Sequence, residues 1–156
     1  ISAIQTALKG VENTYQMMVN HALSSPTEEI CGLATGLFLI DQPDKVQVRV
    51  DEYHMVKNVA QVKAGSVVWD PIKQKEIFDN AFKKKQQVPC CFHSHPFPQW
   101  SNRPSGIDHH EAVRHNESWF WLIWGGKEKK IAAWYFDAKT QNFIESKIEL
   151  LEVEYV

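Results

Sequence analysis

No apolar run in this 156-residue chain approaches 18 residues, so no segment reads as a membrane-spanning helix and no membrane partner is expected. There is no Gly-x-Gly-x-x-Gly and no phosphate-binding loop, which leaves nucleotide chemistry without an anchor. Charge of one sign is also lacking. The formal net charge is −2, and the densest basic patches, Lys83–Lys85 and Lys129–Lys130, read as a solvated helix end and a turn, so no nucleic-acid partner is expected. Cysteine is scarce: three residues, with no Cys-x-x-Cys pair. Cys90 and Cys91 are neighbours, and neighbours in an extended strand point to opposite faces and rarely bridge. The cysteines are therefore expected as small buried apolar residues in a reduced, cytoplasmic setting. No signal peptide is visible, and because the first residue is Ile1 rather than Met, some N-terminal sequence is expected to have been trimmed or lost.

What is present suits a globular fold. Hydrophobic residues make up 44% and charged residues 23%, ordinary proportions. A chain of this length buries roughly 70% of its unfolded surface, and residues 1–156 are read as one domain. Ile4, Leu8, Val11, Tyr15, Met18 and Ala22 recur at helical spacing and predict a first helix over residues 2–23, weakened by Gly10 and ended by Ser24-Ser25-Pro26. The apolar run 30–40 predicts a buried strand, and Asp41 to Asp44 a turn. Val46, Val48 and Val50 alternate with polar residues as in a half-buried strand. Residues 53–66 lack pattern and read as loop, followed by a short strand at 67–69. Asp70 as N-cap and Pro71 at the first helical position open a second helix with Ile77, Phe78, Ala81 and Phe82 as its apolar face. Strands follow at 88–92, 119–124, 131–136 and 143–151, with a helix of about residues 106–116 between the first two. The order predicts a mixed α/β or α+β sheet flanked by helices.

Five of the seven histidines fall between residues 93 and 115. His93 and His95 sit two apart at the end of a buried strand, so both imidazoles project the same way and can reach one ion. Zn²⁺ favours imidazole nitrogen and carboxylate oxygen, and catalytic sites give it three protein ligands and an open fourth position. Asp108 can be the third ligand if the first turn of the following helix faces the strand end. Taken alone, His-x-His is usually surface sequence, and Ser105-x-x-Asp108 is a helix capping box. The two readings of Ser105 and Asp108 are compatible. Glu28 and Glu29 are either solvated loop carboxylates or acid–base candidates. His109, His110 and His115 read as neighbours of the site or as solvated residues, and His109 lies about 100° around the helix from Asp108. Trp119, Trp121, Trp124 and Trp134 read as sheet packing. Trp100 either shapes a substrate channel or plugs its loop.

His93-Ser94-His95-Pro96 with Pro104-Ser105-x-x-Asp108, preceded by Glu29-Ile30-Cys31-Gly32-Leu33-Ala34-Thr35-Gly36, resembles the signature of the JAMM (MPN) zinc metallopeptidases. The likeness runs from about residue 4 to 136 and suits the short prokaryotic branch. It implies an MPN/JAMM, cytidine-deaminase-like architecture. It also implies one Zn²⁺ held by His93, His95 and Asp108 with a water as fourth ligand. The family's glutamate lies seven residues before the glycine matching Gly36, which selects Glu29 over Glu28 as general base. Ser105 would donate to the developing oxyanion. The implied activity is hydrolysis of the peptide or isopeptide bond after the tail of ubiquitin or a ubiquitin-like or sulfur-carrier protein. Segment 53–66 would be the edge beside which that tail lies, and a partner protein or homodimer is compatible with the family. One departure stands out: nine residues, 96–104, separate His95 from Ser105, two more than the family's usual spacing. Extra residues in a surface loop are tolerated, but they put the shape of the substrate groove in question. The alternatives are a non-catalytic MPN scaffold, whose members usually lose motif residues, and a zinc deaminase, whose Pro-Cys-x-x-Cys ligand pair Pro89-Cys90-Cys91 does not supply.

Overall fold

The computed structural model describes residues 5–151. In chain order its elements are β1 (Gln5–Val11), α1 (Glu12–Leu23), β2 (Cys31–Gln42), β3 (Lys45–Val56), α2 (Pro71–Lys83), β4 (Gln87–His95), α3 (Gly106–His115), β5 (Trp119–Gly125), β6 (Lys130–Asp137) and β7 (Asn142–Leu151). The strands form one mixed sheet in the order β1-β3-β2-β4-β5-β6-β7, closed into a barrel because β1 also pairs with β7. The pairs β1–β3, β1–β7 and β4–β5 are parallel and the others antiparallel. This is the mixed sheet flanked by helices that the residue pattern predicts.

Alternation along the strands sorts side chains between two cores. Cys90, Phe92, Val46, Val48 and Val50 pack with Met18 and Ala22 of α1. Leu33, Cys91, Trp121 and Ile123 pack with Ile77 and Ala81 of α2 and Ala112 of α3. Phe92, Phe120 and Phe136 are wholly buried, each contributing about 1.5–3 kcal/mol. The adjacent Cys90 and Cys91 fall on opposite faces, as strand geometry requires. Gly36 sits at a bulge in the β2–β3 pairing, where a Cβ would run into the Arg49 carbonyl.

Three expectations need correction. Residues 5–11 are strand, so the first helix is α1 alone; residues 2–4 lie outside the described residues. The helical stripe continues through this segment, but Gly10 weakens it, and pairing with β3 and β7 gives its backbone hydrogen-bond partners far away in sequence. Residues 53–56 extend β3, and 67–69 make only an isolated bridge, Asn58 to Trp69. In α2, Asp70 does cap the helix by accepting from the Ile72 N–H. Of its expected apolar face only Ile77 and Ala81 are buried; Phe78 and Phe82 are exposed, the latter by 84%. They lie about 100° further round, beyond the stripe that meets the sheet.

No helix among the described residues is long and apolar enough to cross a membrane. The three cysteines are free and buried, and burial pushes the Cys31 thiol up to about 12. At pH 8 the thiols stay protonated and shielded. Native protein should therefore leave all three unreacted with a thiol-labelling disulfide reagent, and all three should react once it is denatured. Rapid labelling of the native fold would contradict this packing.

Candidate metal centre

Cys91, His93 and His95 share the face of β4 that carries the α2/α3 core, because successive side chains alternate. The antiparallel register sets Cys31 against His93. It continues one step further, the Ser94 N–H donating to the Ile30 carbonyl at 3.1 Å and the Ile30 N–H to Ser94 Oγ at 3.0 Å. Glu29 is the next residue back along that chain. On the other side β4 runs parallel to β5, and α3 is the crossover between them. The first turn of α3 thus stands at the carboxyl end of β4.

Ser105 caps α3 in a complete capping box. Its hydroxyl accepts from the Asp108 N–H at 3.1 Å, and Asp108 Oδ2 accepts from the Ser105 N–H at 2.9 Å. This holds the Asp108 carboxylate at the end of β4. Asp108 Oδ1 is 3.1 Å from His93 Nε2, and Oδ2 is 3.1 Å from His95 Nε2. The two Nε2 atoms are 3.2 Å apart, and Glu29 Oε1 is 4.0 Å from His93 Nε2. Glu29, His93, His95 and Asp108 are all buried. The structure therefore brings together Glu29, His93, His95, Ser105 and Asp108. Glu28 is exposed.

The donor set suits a cation. His95 Nδ1 lies 2.7 Å from the Ser101 carbonyl, which can only accept, so Nδ1 carries the proton. In the neutral ring Nε2 is then a bare lone pair, and it faces the Asp108 carboxylate and the other imidazole. That lone pair and the carboxylate need between them either a proton, which His93 Nε2 can supply, or a shared metal ion. Burial alone would lower the His95 pKa, but the hydrogen bond to Asp108, its charge and the Ser101 carbonyl raise it. Burial would raise Asp108, yet His93 and His95 hold it well below the usual carboxylate range. Burial raises Glu29 to about 7; His93 and His95 oppose the rise, and the Asp108 charge adds to it. One ligand atom each from Glu29, His93 and His95 lies within 4.8 Å of the others, a group that could hold a metal ion.

The centre opens into a cavity of about 560 Å³ whose lining includes Glu29, His95, Trp100, Arg103, Ser105 and Ile107. Trp100 does line that cavity, and it also packs against Phe97 and the His95 ring. His109 points away, its Nε2 2.9 Å from the Gln141 carbonyl, and His110 and His115 are exposed. Behind the centre the His93 ring lies edge-on to Trp69 and Trp121. His93 Nδ1 and the Trp121 and Trp124 indole nitrogens are buried without a hydrogen-bond partner among the described residues.

Sequence reasoning missed three supports. The Ser101 carbonyl fixes the His95 tautomer, a main-chain role that side-chain identity cannot signal. Trp69 donates to the Gly32 carbonyl at 3.0 Å. Asn58, in a stretch read as structureless, donates to the Glu29 carbonyl at 2.9 Å. The longer loop 96–104 is strapped to the β5–β6 turn and to β6: Asn102 N donates to Glu128 Oε1 at 2.8 Å, and Trp134 Nε1 donates to the Asn102 carbonyl at 2.9 Å. A Cβ at Gly125 would run into Asn102 N.

A buried His-His-carboxylate cluster at a strand tip and helix start, open on one face, is a group that could hold a metal ion. The chain matches the family of prokaryotic homologs of the JAB domain over residues 11–137, and it belongs to that family. Its fold is similar to the solution structure of a Desulfitobacterium hafniense protein (TM-score 0.75, 23% identity, 94% of each chain covered). It is also similar to that of a Salinibacter ruber protein (TM-score 0.62, 22% identity, 92% of this chain and 91% of the other). No curated protein matches the chain.

The cap should contribute stability of its own. Ser105→Ala is expected to lower unfolding free energy by about 0.5–2 kcal/mol in denaturant titrations, and to leave Asp108 with one hydrogen-bond partner fewer to fix its turn. An unchanged midpoint would show that the box is not made in solution.

Proposed function

We propose that this chain is a zinc-dependent (iso)peptidase that cleaves the bond after the C-terminal tail of ubiquitin or a ubiquitin-like or sulfur-carrier protein. The observation that carries this reading is the convergence of two imidazole Nε2 atoms and one carboxylate at 3.1–3.2 Å. With ligand bonds of about 2.0–2.1 Å, neighbouring donors of a tetrahedral zinc lie about 3.3 Å apart. The His93, His95 and Asp108 separations suit that spacing, which supports these three as the ligands. Glu29, at 4.0 Å from His93 Nε2, suits a base standing just beyond the coordination shell. When bound, zinc would supply Lewis acidity and bring the pKa of a water toward neutrality.

The chain's own groups then divide the work. Glu29, its pKa raised to about 7 by burial, is poised to take a water proton and pass it to the leaving amine. The Ser105 hydroxyl accepts from Asp108 N, and its own proton remains for a developing oxyanion. His95 is kept in its Nδ1–H form by Ser101. Residues 57–66 would border the substrate tail: Gly65 lines the cavity, and an added methyl there would meet nothing within 4 Å. An extended tail in that space would be recognised through its backbone more than its side chains. The whole apparatus would sit on one domain in the cytoplasm, where the three free cysteines stay reduced.

The test combines metal analysis with cleavage of ubiquitin-like fusions. Wild type and Glu29→Gln should both carry stoichiometric zinc, with turnover of the variant lowered by about 10²–10⁴-fold, the range of a lost general base. His95→Ala should lose the metal and the zinc-dependent rise in melting temperature that binding to the native state produces. Full metal content in His95→Ala would remove the ligand assignment. A zinc-loaded wild type that cleaves no fusion from a broad panel would favour a scaffold.

A further inference from the structure

We propose that Asn58 is a positioning residue for Glu29, fixing the direction from which that carboxylate enters the metal centre; this rests on the reading of Glu29 as the base. Glu29 precedes the first residue of β2, so no strand ladder holds it. Its main chain is held by three other contacts. Its N–H donates to the Lys63 carbonyl at 2.7 Å. Its carbonyl accepts from Asn58 Nδ2 at 2.9 Å, and the N–H of the same peptide unit, that of Ile30, donates to Ser94 Oγ at 3.0 Å. Peptide units are planar, so gripping the units on both sides of the Glu29 Cα fixes its φ and ψ. The direction of its Cβ follows.

Asn58 is built for this grip. It is buried, and besides Glu29 its Nδ2 donates to the Ser66 carbonyl at 3.0 Å, while Oδ1 accepts from the N–H groups of Ala60 at 3.0 Å and Val68 at 3.1 Å. Backbone N–H groups only donate and carbonyls only accept, so the amide fits in one orientation. Its two donors and two lone pairs are all used. Two of these bonds, to Ser66 and Val68, tie the two limbs of the loop to each other, and the third, from Ala60, closes a local turn. The fourth ties the loop to the base, and Lys63 of that loop supplies the contact to the Glu29 N–H.

The amide's two ends allow the roles to be separated. In Asn58→Asp one oxygen can still accept from Ala60 and Val68, but the other meets the carbonyls of Glu29 and Ser66 and can no longer donate to them. Asn58→Ala removes all four bonds. Measured on the zinc-loaded enzyme with a ubiquitin-like fusion, both variants should lower kcat about tenfold to a hundredfold, the scale of a misplaced catalytic group. Zinc content should hold, and in Asn58→Asp, which keeps the Ala60 and Val68 bonds of the loop beside the substrate tail, the loss should fall on kcat more than on KM. Native-state amide exchange at Glu29 and Ile30 should quicken by about tenfold or more, as local opening becomes easier. Wild-type kcat and unchanged exchange in both variants would overturn the proposal. So would a loss of turnover that merely tracks loss of zinc and of thermal stability. If neither variant folds, the wild type decides: slow exchange of the Asn58 side-chain amide protons and a through-bond coupling to the Glu29 carbonyl are expected, and fast exchange without coupling overturns the inference. Should wild type cleave no fusion, the peptidase reading fails by itself, and the exchange rates at Glu29 and Ile30 still judge the role of Asn58.

Discussion

Two buried imidazole Nε2 atoms and a carboxylate face one another across 3.1–3.2 Å, and much of the remaining architecture reads as a means of holding that arrangement together. Bringing acceptors into a dry interior costs free energy unless a cation or proton joins them. The fold concentrates its rigid contacts there. β4 is flanked by β2 and β5, so the backbone bearing His93 and His95 cannot slip without breaking two ladders. Asp108 is fixed by the helix cap, and its charge also lies at the positive end of α3.

Economy of parts is evident in the first turn of α3. Ser105 and Asp108 close the helix start and, in the functional reading, serve catalysis with atoms the cap leaves free. Ser94, between the two histidines, bonds its side chain and its N–H to Ile30. The alternation that sends His93 and His95 to one face thus stitches the next residue to the chain bearing Glu29. The longer loop 96–104 is no loose insertion. Its Ser101 carbonyl sets the His95 tautomer, and Asn102 is fastened to Glu128 and Trp134.

How far the sequence carried can be judged at particular residues. The His93/His95 pair was legible because a strand's period is two. The Ser105 cap was legible because capping chemistry is local, and Cys90 and Cys91 because adjacent strand residues diverge. Residues 5–11 were misread because a helical stripe continues through them, while the partners that draw them into strand lie in β3 and β7. Phe78 and Phe82 were misplaced because composition says how wide an apolar stripe is, but not how much of it a sheet will cover. Asn58 left no trace in any pattern: its four bonds reach backbone groups in Glu29 and in a loop without periodicity.

The sequence by itself determined which side chains share a face, which residues can begin a helix and which could ligate a metal, since these depend on spacings within a few residues. Tertiary structure decided that the tip of β4, the start of α3 and the residue before β2 meet in one buried place, that β1 closes the barrel, and that Asn58 and Ser101 orient the groups gathered there. Those outcomes depend on contacts between segments tens of residues apart, made through backbone atoms that every residue carries and that no residue type announces.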